Sequence, residues 1–139
     1  MIDTLHRLIP ASAVLISNIR TITADNIFAS LNSQGIPFQV KRLISGDWEI
    51  DASDFTDTEI LAKLHMEEAG HHGTLLICTE ACSRYELAPF RCLANELSRF
   101  VENYEIEMFF DGDVVMVCDS RKTLTVFHHA GGYAHVSLR

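Results

Sequence analysis

The stretch from Glu105 to Arg139 constrains the fold more than any other part of the chain, because its pattern favours four short strands joined by tight turns. Asp111-Gly112 and Gly131-Gly132 are dipeptides that tolerate the backbone conformations of two-residue hairpin turns. Asp119 to Lys122 suits a tight link between the two hairpins. The sequence therefore predicts a C-terminal antiparallel meander of four strands, at Ile106–Phe110, Val114–Cys118, Lys122–His129 and Tyr133–Leu138.

The alternation of side chains along these strands assigns them to two faces. One face is almost purely apolar in its first two strands and is expected to meet the core: Ile106, Met108, Phe110, Asp113, Val115, Val117, Leu124, Val126, His128, Tyr133 and His135. The reverse face is mixed and suits water, a subunit contact or a partner: Glu105, Glu107, Phe109, Val114, Met116, Cys118, Thr123, Thr125, Phe127, His129, Val136 and Leu138. A slip of one residue in register would exchange the faces.

The first half of the chain alternates between helix and strand signals. Capping residues, glycine stops and apolar periodicity predict these elements in order. They are a helix from Asp3 to Ile9, a strand at Ala13–Ile19, a helix capped by Thr23 or Asp25 and ended by Gly35, and strands at Phe38–Ile44 and Asp47–Asp51.

The middle of the chain carries two helix signals around one strand signal. Thr56-Asp57-Thr58-Glu59 is a capping-box pattern that opens a helix ended by Gly70. Thr74–Cys78 is expected as a strand. A longer helix is predicted from about Ala88 to Tyr104, with Pro89 in its first turn.

These elements indicate an α+β fold with mostly antiparallel sheet, about three covering helices and one domain spanning residues 1–139. The order strand, helix, strand, strand occurs twice, about sixty residues apart, which allows two β-α-β-β pseudo-repeats. A ferredoxin-like arrangement of residues 13–78 is an alternative.

Composition limits the classes of function. The 139 residues are 47% hydrophobic, which excludes general disorder, and the net charge of −8 argues against binding to nucleic acids or anionic membranes. No apolar run is long enough to span a bilayer, and Met1–Arg20 lacks the pattern of a signal peptide, so a cytoplasmic protein with reduced cysteines is expected.

The acidic residues concentrate in two stretches that lack basic residues, around residues 47–59 and 102–119. Such carboxylates can serve only solubility or discourage edge pairing of strands. Displayed from strands and bordered by Trp48 and Phe109, they can also hold arginine or lysine side chains of a basic protein. The residues predicted to bind such a partner are Asp47, Glu49, Asp51, Glu105, Glu107, Asp111 and Asp113.

In size, charge and lack of catalytic motifs, the chain is similar to the small acidic immunity proteins with which bacteria neutralise toxins. That resemblance implies a non-enzymatic inhibitor that occludes a basic toxin domain, for example a nuclease. A homodimer formed through the mixed sheet face is equally compatible with the pattern.

An enzymatic alternative comes from Cys78-Thr-Glu-Ala-Cys-Ser-Arg84, which follows a predicted strand and precedes a predicted helix. In such a loop, backbone amides can cradle a phosphate, while a thiolate attacks it and the arginine holds its oxygens. The Cys-x5-Arg spacing resembles the loop of protein tyrosine phosphatases and low-molecular-weight arsenate reductases. It implies a small hydrolase or phosphatase that uses Cys78 and Arg84.

The seven histidines show no helical His-x3-His spacing. The predicted register places His128 opposite His135, which could supply half of a zinc site, with His71, His72 or Glu105 as further ligands. Partly buried or edge-strand histidines are the simpler interpretation. The sequence therefore predicts neither a metal site nor a cofactor.

Overall fold

The computed structural model describes residues 23–64, 73–85, 87, 89–118 and 123–137. The predicted helix from Asp3 to Ile9, the predicted strand Ala13–Ile19 and the helix stop at Gly70 lie outside these residues.

The described residues form six strands, five α-helices and one 3₁₀ helix. The strands are β1 (Lys41–Arg42), β2 (Thr74–Cys78), β3 (Phe90–Leu93), β4 (Val114–Cys118), β5 (Thr123–Phe127) and β6 (Gly132–Ser137). The helices are α1 (Ala24–Ser33), α2 (Trp48–Asp51), α3 (Asp57–Lys63), α4 (Glu80–Arg84) and α5 (Leu97–Glu102), with the 3₁₀ helix at Ala94–Glu96.

All six strands belong to one antiparallel sheet in the order β1-β6-β5-β4-β2-β3. The predicted α+β class with a mostly antiparallel sheet is confirmed, and the C-terminal part contributes four strands, β3 to β6. The described residues contain no helix long and apolar enough to cross a membrane.

Helices cover both faces of the sheet. On the first face, α1 packs Ala24, Ile27 and Leu31 against a strand cluster comprising Leu76, Cys78, Val115, Val117, Leu124, Val126, Ala134 and Val136. On the second face, α3, the 3₁₀ helix and α5 pack against Leu75, Ile77, Val114, Met116, Cys118 and Phe127. The prediction that the mixed face is open to water or a partner is wrong, because these helices bury it.

The local capping signals of α1 and α3 are confirmed. The Thr23 hydroxyl accepts a hydrogen bond from the Asn26 amide at 3.1 Å, and Gly35 follows α1 with φ of 70°. Thr56 and Glu59 form the capping box of α3. The predicted strand Thr74–Cys78 is β2.

The predicted strand Ile106–Phe110 is wrong. The amides of Phe109 and Phe110 donate to the two oxygens of the Asp57 carboxylate at 2.8 and 3.2 Å, and the Asp111 amide donates to the Met108 carbonyl at 3.1 Å. These bonds hold the segment as a loop over the start of α3. The neighbour of β4 on that side is β2.

The β4–β5 register is confirmed, because Cys118 pairs with Thr123. The register of the last hairpin is wrong. Phe127, not Ala130, pairs with Tyr133, since the His128 amide donates to the Gly132 carbonyl at 2.7 Å and lengthens the turn. Because the register shifts by three residues, the side chains of β6 exchange faces of the sheet. Ala134 and Val136 therefore face the first core in place of Tyr133 and His135.

Two further predictions are corrected. The predicted hairpin at residues 38–51 reduces to β1, and residues 48–51 form α2 because the Asp47 side chain caps them as a helix. Without this hairpin the proposed pseudo-repeat is wrong. The predicted long helix from Ala88 is also wrong over Phe90–Leu93, which pairs with β2 as an edge strand.

Candidate functional site

The first acidic segment comprises residues 47–51 at the start of the 47–59 stretch. Two of its three carboxylates accept hydrogen bonds from backbone amides at the start of α2. Asp47 accepts hydrogen bonds from the amides of Glu49 and Ile50, at 3.0 and 3.4 Å, and Asp51 accepts one from the Asp47 amide at 2.8 Å. The Glu49 side chain is exposed, and Ile50 beside it is 71% exposed. This segment therefore presents the exposed apolar side chain of Ile50 beside the exposed carboxylate of Glu49.

The second acidic segment, the 105–113 loop, contributes two carboxylates to a cluster around Arg84, those of Glu107 and Asp111. Arg84, at the end of α4, forms an ion pair with Glu107 and lies 3.7 Å from Asp111 Oδ2. Its own helix adds Glu80 at 4.0 Å. Glu105, two residues before Glu107 in the sequence, is exposed. Among the described residues, three carboxylates thus surround one guanidinium, and negative charge is in excess.

Glu107 shows the consequence of this excess. Its side chain is 10% exposed, and its Oε1 is buried without a hydrogen-bond partner among the described residues. Burial raises the pKa of Glu107, the ion pair with Arg84 opposes that rise, and repulsion from Asp111 and Glu80 adds to it. The net rise means that Arg84 alone does not compensate the buried carboxylate.

Asp113 is nearly as buried as Glu107, with its side chain 12% exposed, but its carboxylate is satisfied by N–H groups. It accepts three hydrogen bonds of 2.8 Å, from the Ala24 amide, the His129 amide and His129 Nδ1. Burial disfavours the charged form, but these bonds outweigh it and lower the pKa of Asp113. The carboxylate joins the start of α1 to the β5–β6 turn.

The fold brings the two acidic segments to one end of the sheet. The ring of Phe127, at the end of β5, contacts Trp48 of α2 at 5.7 Å and Phe110 of the 105–113 loop at 5.0 Å between centroids. Gly131 permits this packing, because a Cβ there would lie 2.7 Å from the Trp48 ring. The two segments, 54 or more residues apart in sequence, therefore border one region.

Large apolar side chains are exposed beside the ion pairs. Ile106 and Met108 are 46% and 51% exposed, and Tyr85, which follows Arg84, is 51% exposed. The Arg84 guanidinium lies 6.0 Å from the Tyr85 ring. Carboxylates and apolar groups thus alternate over this surface.

The Cys78–Arg84 segment does not have the geometry of a phosphatase loop. Cys78 is 5% exposed, and burial, with a smaller contribution from Cys82, raises the pKa of its thiol to about 12. Residues 80–84 are helical, and Arg84 is paired with Glu107. A nucleophilic cysteine requires the reverse, a lowered pKa and an accessible anion site, so this arrangement gives the alternative no support.

The predicted pairing of His128 with His135 is wrong. His135 lies opposite Thr125 in the sheet. Its Nδ1 is hydrogen-bonded to Thr125 Oγ1 at 2.9 Å, and its Nε2 donates to the Leu64 carbonyl at 3.0 Å. His128 and His129 instead stack on each other in the β5–β6 turn. The sequence pattern missed this turn, because Gly131-Gly132 alone suggested a shorter one.

A groove of about 320 Å³ is lined by residues outside the predicted partner-binding set. It is lined by Cys92, Glu96, Arg99, Phe100, Asn103 and Tyr104. Burial, with repulsion from Glu96, raises the pKa of Cys92 to about 11, so the thiol is not activated.

Comparisons with protein-family models, with curated proteins and with solved structures found no match to this chain.

Proposed function

We propose that the protein is a non-enzymatic binding protein that holds a basic protein partner at the acidic end of its sheet. Among known classes, the proposal favours a cytoplasmic bacterial inhibitor of the immunity or antitoxin type, which occludes a basic toxin domain such as a nuclease. The observation that carries the proposal is the single Arg84 guanidinium among the carboxylates of Glu80, Glu107 and Asp111.

The charge imbalance supports a cationic partner. One guanidinium cannot balance three carboxylates, and although burial is the main cause of the raised pKa of Glu107, repulsion from Asp111 and Glu80 adds to it. A lysine or arginine brought close to Asp111 would reduce that repulsion. Charge-assisted bonds from arginine to carboxylate are among the stronger polar contacts at interfaces.

The apolar border supports a protein over a small cation. Tyr85, Ile106 and Met108 expose about half of their surface next to the carboxylates, and aromatic and methionine side chains are enriched at protein interfaces. Ile50 with Glu49 offers a second contact of the same kind at the other side of the region.

The predicted partner-binding residues therefore divide into groups. Glu49, Glu105 and Asp111 are exposed and are proposed to contact the partner directly. Asp47 and Asp51 are proposed to hold α2 in the shape that presents Glu49, and Glu107 to hold Arg84. Asp113 is proposed to support the loop from inside and not to contact the partner.

The proposal is tested by co-expression with the products of the neighbouring reading frames, followed by stopped-flow measurement of association. We expect a complex with a product that ends in a basic domain. Its association rate constant should fall at least about tenfold between low and high salt, because steering over exposed charges is screened within about 10 Å at 0.1 M salt.

Charge reversal separates the proposed surface from general acidity. The double variant Glu105→Lys with Asp111→Lys should weaken the complex at least about tenfold. Glu96→Lys with Glu102→Lys, two exposed carboxylates outside the proposed contacts, changes the net charge equally and should have a smaller effect. Equal effects of the two double variants, or no complex with either neighbouring product, would contradict the proposal.

A further inference from the structure

The turn between β5 and β6 brings three metal-ligating side chains together. One donor atom each from Asp113, His128 and His129 lies within 4.8 Å of the others. Asp113 precedes β4, whereas the histidines follow β5, so the pairing of these two strands assembles the cluster. Histidine nitrogen and carboxylate oxygen are the ligands that suit zinc and other late transition metals.

The backbone of the turn orients the two imidazoles toward the same side. The His128 amide donates to the Gly132 carbonyl and the Gly131 amide to the His128 carbonyl, at 2.7 and 2.8 Å. The two rings consequently stack, with centroids 4.2 Å apart and planes 24° from parallel. In an extended strand, neighbouring side chains would point to opposite faces and could not bind the same metal ion.

A fourth ligand is available from the start of α1. Asp25 Oδ1 lies 3.3 Å from His128 Nε2, and the Asp25 side chain is 78% exposed. Asp113 accepts from the Ala24 amide, so the same helix turn is fixed against the cluster by a residue adjacent to Asp25. Asp25 therefore places a second carboxylate beside His128, in addition to the cluster of Asp113, His128 and His129.

We propose that Asp113, His128 and His129, with Asp25 as a fourth ligand, form a binding site for a divalent transition-metal cation, zinc being the preferred ion. The proposal is independent of the proposed protein partner. It differs from the pairing that the sequence suggested, because His135 takes no part.

The proposed binding requires a small contraction of the cluster and the loss of protons. Tetrahedral zinc ligands at about 2.0–2.1 Å from the ion lie about 3.4 Å from one another, closer than the widest present separation. His129 and Asp25 are exposed enough to move inward. The contacts of His129 Nδ1 with Asp113 and of His128 with Asp25 and the Ala130 amide have to rearrange, so metal binding should release protons and weaken at low pH.

The test is calorimetric titration of the intact, tag-free protein with Zn²⁺ alone, in a buffer that does not bind zinc. The wild type should bind one equivalent at this site. His129→Gln and Asp25→Asn should each lower the affinity at least about tenfold, since loss even of an outer-shell partner costs about 10–100-fold. Both side chains are exposed, so neither change removes core packing, and circular dichroism verifies folding.

His135→Gln is the matched control, because it removes one imidazole from another part of the same hairpin. It should leave the affinity unchanged within about twofold. Absence of zinc binding by the wild type, an unchanged affinity in both cluster variants, or an equal loss in His135→Gln would overturn the proposal. None of these outcomes would affect the salt and charge-reversal tests of partner binding.

Discussion

The two acidic segments are both rich in carboxylates, but the hydrogen-bond partners of these carboxylates lie at very different separations in the sequence. In residues 47–51 the carboxylates of Asp47 and Asp51 bond to backbone amides at most four residues away and shape a single short helix. In the 105–113 loop the contacts of Glu107 and Asp113 join residues 23 and 89 positions apart.

The comparison shows that acidic residues in one loop can serve opposite purposes. Asp113 is satisfied by three N–H groups and stabilises the loop, whereas Glu107 is buried with too little positive charge around it. Asp113 thus fixes the end of the loop through its hydrogen bonds, as Asp57 fixes Phe109 and Phe110, whereas the charge of Glu107 is incompletely compensated.

The largest effect is expected for Asp113→Ala, which leaves three N–H groups without their charged acceptor. We expect a loss of about 3 kcal/mol in the free energy of unfolding, measured by urea denaturation at pH 7. Asp111→Ala, two residues away and exposed, should cost less than about 0.5 kcal/mol. A similar loss in the free energy of unfolding for both variants would show that the hydrogen bonds of Asp113 do not stabilise the protein.

Asp57→Ala tests the tether between α3 and the 105–113 loop. The change removes the acceptor of the Phe109 and Phe110 amides, so we expect a loss of about 2 kcal/mol in the free energy of unfolding. Asp54→Ala, a nearby exposed carboxylate, serves as control and should cost less than about 0.5 kcal/mol. A harmless Asp57→Ala would mean that the loop is held by its aromatic packing alone.

Asp47→Ala tests the local segment. The loss of a helix N-cap costs about 1 kcal/mol, and here the helix has only four residues, so the cost should not exceed that value. Denaturant unfolding measures the loss, and the affinity for a partner should change less than with Glu49→Lys. A cost approaching that of Asp113→Ala would remove the contrast between local and long-range carboxylates.

The smallest effect is a difference in pH dependence between Glu107 and Asp113. The raised pKa of Glu107 means that the folded state is penalised above that pKa and recovers stability as the pH falls toward the unfolded value of about 4.3. The lowered pKa of Asp113 means that its contribution is present above about pH 3.9 and is lost as the pH falls through the folded pKa.

We therefore expect the stability of Glu107→Gln, relative to wild type, to increase by less than about 1 kcal/mol from pH 4.5 to pH 7.5. Asp113→Asn should show the opposite trend, losing stability relative to wild type as the pH rises from 2.5 to 5. Urea unfolding at each pH measures both trends. The same sign for the two variants would contradict the opposite shifts.

Sequence reasoning predicted what short-range chemistry determines. The caps at Thr23 and Thr56, the strand Thr74–Cys78 and the Cys118–Thr123 pairing depend on neighbours in sequence, and each is confirmed. The strand predicted at Ile106–Phe110 failed because its amides bond to Asp57, 52 residues away, which no local pattern reveals.

The candidate site shows the same limit. The acidic residues were visible as a composition bias, but their division into inward, paired and exposed groups depends on tertiary contacts. In the sequence, Arg84 stands out by its spacing from Cys78, whereas in the structure it contacts Glu107 and Asp111. The histidine cluster needed the actual length of the β5–β6 turn, which two glycines did not specify.

A titration of the side-chain carboxyl groups by nuclear magnetic resonance tests the central claim most directly, because it needs no partner. The claim predicts that the pKa of Glu107 lies above the ordinary glutamate value of about 4.3 and that the pKa of Asp113 lies below the ordinary aspartate value of about 3.9. A Glu107 pKa at or below its ordinary value would show that the contact with Arg84 outweighs burial and the repulsion from Asp111 and Glu80. The account of an incompletely compensated carboxylate beside Arg84 would then be wrong, and the proposed function would lose that support.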